Sequence, residues 1–441
     1  MKANTLGDIF TNFTNEPVEI GKLVQLYVSA VKGRGDNPTK EMQLRLELSN
    51  KPIKILFAGY RGCGKSTELN KLQFEIQTKF SVLNYSIMEE SDPTNLTYIE
   101  LFIITMEKLF ELAVKQDFPI RKEYIDSIKG WLTTKEIQEI RDSFIGIDSE
   151  LGSETQFTIP WLQKFFFKLK VAGKTSKNFK EILKQNVEPR LSELIFHCNA
   201  LIQEIRSAGK KRGFKDVLII VEDLDKIPID RAESLFFNYA SQLAQLQASV
   251  IFTFPITLLY NQKFNIIRQY FDYDFELPMI KVNNKDGSIN AEGRHILREI
   301  VERRMDLNLF AKPEYLETLI AYSGGCLRDL FRMILESASN ALIMENPKME
   351  EADIQKGILR LKNDYSNTIS DNRKADKTFI SAKMYFETLV SVANDVSKHP
   401  ENTEALLDLR QNLCVLGYNS ENWCDVHPLV RDILKDRGLL V

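Results

Sequence analysis

The chain has 441 residues, with 58 Lys+Arg against 61 Asp+Glu and a formal net charge of −3. A hydrophobic share of 44% and a charged share of 27% describe an ordinary globular protein, long enough for several domains at about 100–200 residues each. The balance excludes a uniformly basic polymer-coating protein but allows local basic patches, and 5 scattered Cys with 4 His support neither a disulfide framework nor a structural zinc site.

No apolar run approaches the roughly 20 residues of a membrane span, and 1–15 carries no apolar leader, so a cytoplasmic protein with no membrane partner is expected. From the start, 18–31 predicts a helix, with Ile20, Leu23, Val24, Tyr27, Val28 and Val31 at helical spacing. The 33–38 stretch breaks it and a second helix runs to Leu48. A short β-rich run at 53–58 reads as a buried parallel strand, followed by glycines, a helix at 65–79 and a strand at 80–87. Mostly helical patterns then fill 96–114, 122–131, 134–144 and 187–205. Strands return at 217–221, 250–254 and 273–277, with a helix at 231–246, which implies a parallel sheet covered on both faces. Helices follow at 291–306, 313–322, 327–344 and 350–362, then a polar linker at 363–377. The last stretch predicts helices at 379–396 and 403–413, a hairpin at 415–426 and a final helix from Pro428, the outline of a winged helix.

The run Gly59-Tyr60-Arg61-Gly62-Cys63-Gly64-Lys65-Ser66-Thr67 matches a phosphate loop, placed after a strand and opening a helix. Its glycines let the backbone N–H groups curl toward phosphates, and the helix adds its positive end. Lys65 supplies a charge to the β- and γ-phosphates, and Ser66 a ligand for Mg²⁺. At the end of the strand 217–221, Glu222 and Asp223 are the candidate metal-side and water-side carboxylates. The usual order is Asp then Glu, so the inversion bears on turnover. Thr253 is placed to bond the γ-phosphate or attacking water. Arg328, after Ser323-Gly324-Gly325-Cys326-Leu327, would reach the nucleotide from a lid, and Arg268 would project into a neighbouring subunit's site.

With these features in this order, the chain resembles AAA+/STAND-type P-loop ATPases. Glu222-Asp223-Leu224-Asp225-Lys226 is similar to acidic runs of the origin-recognition-like and KAP-like groups, and Ser323-Gly324-Gly325 with Arg328 is similar to a sensor-2 element. The resemblance implies an α/β fold, a P-loop NTPase parallel sheet with a helical insertion, an all-helical lid and a C-terminal winged-helix-like module. The corresponding division is N-terminal helices 1–50, ATPase core 51–285 with its insertion within about 89–210, lid 286–364, linker 365–378 and C-terminal domain 379–441. It also implies ATP and Mg²⁺ as cofactors, ATP hydrolysis, and a nucleotide-dependent switch that forms a homo-oligomer. No effector motif accompanies the ATPase, so a separately encoded effector protein, as in bacterial anti-phage defence, is one expectation. The alternatives are an ATP-dependent DNA loader or regulator of replication or transposition, and a non-hydrolysing nucleotide-held scaffold.

Two charge segments bear on partners. Within 163–190, eight Lys/Arg (Lys164, Lys168, Lys170, Lys174, Lys177, Lys180, Lys184, Arg190) face two Glu, with Phe165, Phe166, Phe167 and Phe179 interleaved. Such a mixture can track nucleic acid, or form a solvated basic face over a Phe core. Residues 376–441 carry 7 Lys/Arg against 10 Asp/Glu, which argues against DNA reading there and for docking on protein, including the chain's own ATPase core.

Overall fold

The computed structural model describes residues 2–132, 134, 159–176, 180–181, 185, 187–374, 378–418 and 423–440. The expected helix at 134–144, Lys177, Phe179, Lys184 and the hairpin turn 419–422 lie outside the described residues. Five parallel strands form the central sheet, β1 (Lys54–Gly59), β2 (Phe80–Ser86), β3 (Asp216–Glu222), β4 (Ser249–Phe254) and β5 (Tyr273–Leu277), in spatial order β2-β3-β4-β1-β5. Every residue of β1 and β4 is buried, because helices cover both faces and leave no position for a polar alternation. Register pairs Ser86 with Glu222 and Gly59 with Leu277, so the exits of these strands share one carboxyl edge. In open parallel sheets that edge is where ligands bind.

Helix α1 (Pro38–Leu48) starts with Pro at its first turn and the Asn37 side chain as N-cap, and α2 (Lys65–Ile76) follows the phosphate loop. The insertion contributes α3 (Tyr98–Lys115), α4 (Lys122–Leu132), α5 (Ile159–Thr175) and α6 (Leu191–Lys211). A Thr97/Glu100 capping box opens α3, and its Phe110 stacks on Phe166 of α5 with ring centroids 5.6 Å apart. After β5 the lid comprises α7 (Ala291–Glu302), α8 (Pro313–Tyr322), α9 (Leu327–Ile343) and α10 (Glu351–Thr368). The C-terminal module holds α11 (Ala382–Asn394), α12 (Glu404–Gln411), the antiparallel β6 (Val415–Tyr418) and β7 (Trp423–Val426), and α13 (Pro428–Asp436), an order compatible with a winged helix. All five cysteines are free and buried, and among the described residues no helix is long and apolar enough to cross a membrane.

Three expectations are corrected. The continuous helix over 18–31 is instead two short turns, Ile20–Lys22 and Leu23–Leu26, followed by extended chain and a further turn at Val31–Arg34. This segment lies along α2: Val18 N–H donates to Thr67 Oγ1 at 3.1 Å, and Asn70 Nδ2 donates to the Val18 carbonyl at 3.0 Å. The expected helix at 231–246 is split into Ile229–Glu233, a π-turn at Ser234–Asn238 and Ala240–Leu243. The lid's last helix continues to Thr368, so the polar stretch after 363 begins as helix rather than linker.

The basic segment resolves largely into internal pairing. Lys170 pairs with Glu90 and with Glu107 (3.3 Å), Lys180 with Glu100 (2.9 Å), and Lys174 donates to the Glu89 carbonyl at 2.8 Å. Phe165 and Phe166 are buried. Lys170 and Lys180 therefore help neutralise carboxylates of α3 and of the turn after β2, Glu90 and Glu107 being shared with Lys108 at 3.0 and 3.7 Å. Duplex DNA titrated at increasing salt is accordingly expected to show a log-log slope well below that of six phosphate contacts, about −5. A slope that steep would restore the segment as a phosphate-binding face.

Candidate functional site

The phosphate loop connects β1 to α2, and its curl depends on residues that only glycine serves. Gly62 has φ +79° and Gly64 φ +103°, and a Cβ added at Gly62 would lie 2.5 Å from the Arg328 Cβ. The loop is thus closed over by the lid at that point. Lys65 folds back into it, donating to the carbonyls of Gly59 (2.7 Å) and Tyr60 (2.9 Å) and pairing with Asp225 at 2.9 Å. Burial works against the Lys65 charge, but Asp225 and Cys63 beside it offset this and hold the ammonium above its ordinary range.

The acidic strand end is arranged differently from the simple reading of its sequence. Glu222 is buried near Ser66 and Asn84; burial pushes its carboxyl up to about 7, with those two side chains acting the other way. Asp223 sits in the left-handed region at φ +68° and turns from the loop, accepting from Ser86 Oγ at 2.5 Å and pairing with Lys226 at 2.6 Å. That reversal brings Asp225 to Lys65, where it receives no other hydrogen bond among the described residues. Thr253 Oγ1 donates to the Val221 carbonyl (3.3 Å) and accepts from Leu224 N–H (3.0 Å). Its hydroxyl therefore ties the turn carrying Asp225 to β4, and acts on the site through that backbone.

Arg328 reaches this chain's site, whereas Arg268, expected at a neighbouring subunit's site, lies elsewhere. Arg328 lines the cleft beside Gly62 and has no ion pair or hydrogen bond among the described residues. Arg268 pairs with Asp274 at 3.0 Å on an exposed edge beside β5, away from the cleft. Of the loop residues expected to face a nucleotide, Arg61, Gly62, Gly64, Lys65, Ser66 and Thr67 line the cleft. Tyr60 and Cys63 are buried beneath it.

The cleft itself is open to solvent, with about 1030 Å³ of empty space. One side is apolar, formed by Val18, Leu26 and Val28 of the N-terminal segment with Ile300 and Phe331 of the lid. The other carries the phosphate loop, Asp225 and Arg328. Two contributors had no local sequence signal. Arg34 donates to the Cys63 carbonyl at 2.6 Å and to the Pro278 carbonyl, bracing the loop from below. Tyr27 donates to Glu68 at 3.1 Å, and burial raises that carboxyl's pKa. Asp225 was visible as the third carboxylate of the acidic run, but only the positive φ at Asp223 decides which one faces Lys65.

No family model matches the chain, and no curated protein matches it in sequence. Among solved structures it is similar to Cdc6p from Pyrobaculum aerophilum, at 11% identity over 97% of this chain and 98% of that chain, with a TM-score of 0.40. It is similar to the Aeropyrum pernix ORC1 protein in complex with DNA, at 10% identity over 96% and 97% with a TM-score of 0.41. It is also similar to the Thermotoga maritima RuvB Holliday junction branch migration motor, at 11% identity over 92% and 95% with a TM-score of 0.34. Likenesses this distant carry no argument about what the chain binds or does. On its own strand order, with a phosphate loop leaving β1, a helical insertion, an all-helical lid and a C-terminal helix–hairpin–helix module, the fold is an α/β parallel sheet of the P-loop type.

Proposed function

We propose that the chain is an ATP-binding, ATP-hydrolysing switch whose nucleotide sits between the phosphate loop and the lid. The observation that carries this reading is the buried Lys65, held by the Gly59 and Tyr60 carbonyls and Asp225 under a cleft that Arg328 closes from the lid side. The residues present fit ATP and Mg²⁺: loop N–H groups and Lys65 for the phosphates, the apolar slot for the base, and Ser66 with Glu222 for the metal. Mg²⁺, when bound, would neutralise phosphate charge and orient the attacked phosphorus. Arg328 supplies a cation free to meet the γ-phosphate, which couples nucleotide state to lid position. Assembly into a homo-oligomer, with Arg268 reaching a neighbouring site, belongs to this reading, as does an effector partner in anti-phage defence. Calorimetry with ATP and ADP, together with particle mass with and without ATP, tests it. Absence of nucleotide binding would refute the switch, and an unchanged monomer would refute assembly.

Glu222 rather than Asp223 is the carboxylate beside Ser66, so the two are expected to separate in kinetics. Glu222→Gln should lower phosphate release by about 10²-fold or more, as removal of a catalytic electrostatic group does, and Asp223→Asn by less than about tenfold. The opposite ranking would reassign the roles.

A further inference from the structure

The phosphate loop is held from behind by a part of the chain far from it in sequence. Tyr60, wholly buried, points away from the cleft to the C-terminal module, where Gly417 of β6 lies against its ring. A Cβ added at Gly417 would meet the Tyr60 hydroxyl at 2.6 Å and ring carbons at 3.0 and 3.2 Å. Gly417 has no positive φ, so backbone conformation is not what makes a side chain costly there. The same residue accepts a hydrogen bond from Met279 N–H at 3.1 Å, just past the β5 end that pairs with Gly59. Tyr418 next to it donates to the Gly324 carbonyl of the lid at 2.9 Å. Among the described residues the Tyr60 hydroxyl makes no hydrogen bond. Contact shape, rather than a polar bond, fixes this joint.

We propose that Gly417 is a positioning residue for nucleotide binding: the hairpin seats the Tyr60 ring, and through it sets the curl of the phosphate loop. The seat leaves no room for a methyl group, so enlarging Gly417 pushes Tyr60 toward the loop it belongs to. This rests on the nucleotide-binding reading for its functional consequence, but the mechanical coupling can be read without nucleotide.

The experiment is a double-mutant cycle on the full chain, comparing Gly417→Ala in the natural background with the same change in Tyr60→Phe. In the natural background Gly417→Ala is expected to weaken ATP affinity about tenfold, the range of an overpacked contact. In the Tyr60→Phe background the closest of the three contacts is gone while the ring carbons at 3.0 and 3.2 Å remain, so the same change should cost measurably less than in the natural background. Hydrogen exchange at residues 60–64 of the nucleotide-free proteins should rise in Gly417→Ala and return toward its parent's value in the double variant. Equal costs in both backgrounds, or unchanged exchange at 60–64, would overturn the proposal. If the natural chain binds no nucleotide, the functional reading fails and exchange alone decides the coupling. Gly21→Ala, placed where no atom lies within 4 Å, controls for a general effect of an added methyl group.

Discussion

Replacing Lys65 by Ala is expected to remove nucleotide binding and to destabilise the protein, through two separable losses. The first is the phosphate charge, for which a loss of about two orders of magnitude in affinity is expected. The second is a buried pair broken on one side. Lys65 and Asp225 are 7% and 3% exposed at their side chains, and Asp225 has no other hydrogen bond to fall back on among the described residues. Leaving one buried charge unpaired costs about 3–5 kcal/mol. Removing both partners, as Lys65→Ala with Asp225→Ala, should therefore recover most of the stability in urea unfolding and none of the affinity in calorimetry. Recovery of both would mean that Lys65 is a structural cation and that the phosphates are held elsewhere.

Gly325→Ala should be among the most damaging single methyl additions in the molecule. Gly325 has φ +86°, and a Cβ there would overlap the Ile280 carbonyl oxygen and stand 2.8 Å from its carbon, a backbone neighbour that cannot rotate away. Strain in the left-handed region adds about 1–2 kcal/mol, and the clash about 1–3 kcal/mol more. Gly438→Ala separates the two contributions, because Gly438 has φ +67° with open space around it. Urea midpoints should fall modestly in Gly438→Ala and much further in Gly325→Ala. Equal shifts would show that the lid yields at this joint.

Much of the core was legible because local chemistry and tertiary role coincide. The phosphate loop carries its own glycines, and β3 and β4 are apolar runs because both faces are covered. The bounds of β5 and α8 agree with the periodicity as well, at Tyr273–Leu277 and Pro313–Tyr322. Misreadings arose where a pattern served another purpose. The apolar spacing over 18–31 looks helical, yet Val24 is 81% exposed while Leu23 is buried, since the segment winds along α2 instead of presenting one face. In the acidic run, composition placed three carboxylates near the loop, but one backbone turn at Asp223 redistributed them. Arg34 and Gly417 carry no local mark, because each is defined by a neighbour hundreds of residues away or by a carbonyl. In the basic stretch, charge pattern alone left a polyanion surface and a basic face over a Phe core both open, and the structure pairs Lys170 and Lys180 with glutamates of the same chain.

Four consecutive residues, beginning with the last of β5, gather the rest of the molecule. The Leu277 carbonyl oxygen lies 2.9 Å from where a Gly59 Cβ would be, Pro278 receives Arg34, Met279 donates to Gly417, and Ile280 abuts Gly325. A nascent chain therefore has its phosphate loop early in synthesis but lacks the pieces that brace it until the hairpin has left the ribosome. Domain-wise folding from the N-terminus can build the sheet, yet the finished loop must wait for these long-range contacts. On the proposed reading, nucleotide binding would then depend on the hairpin having been made, and chains truncated before Val415 would lack it.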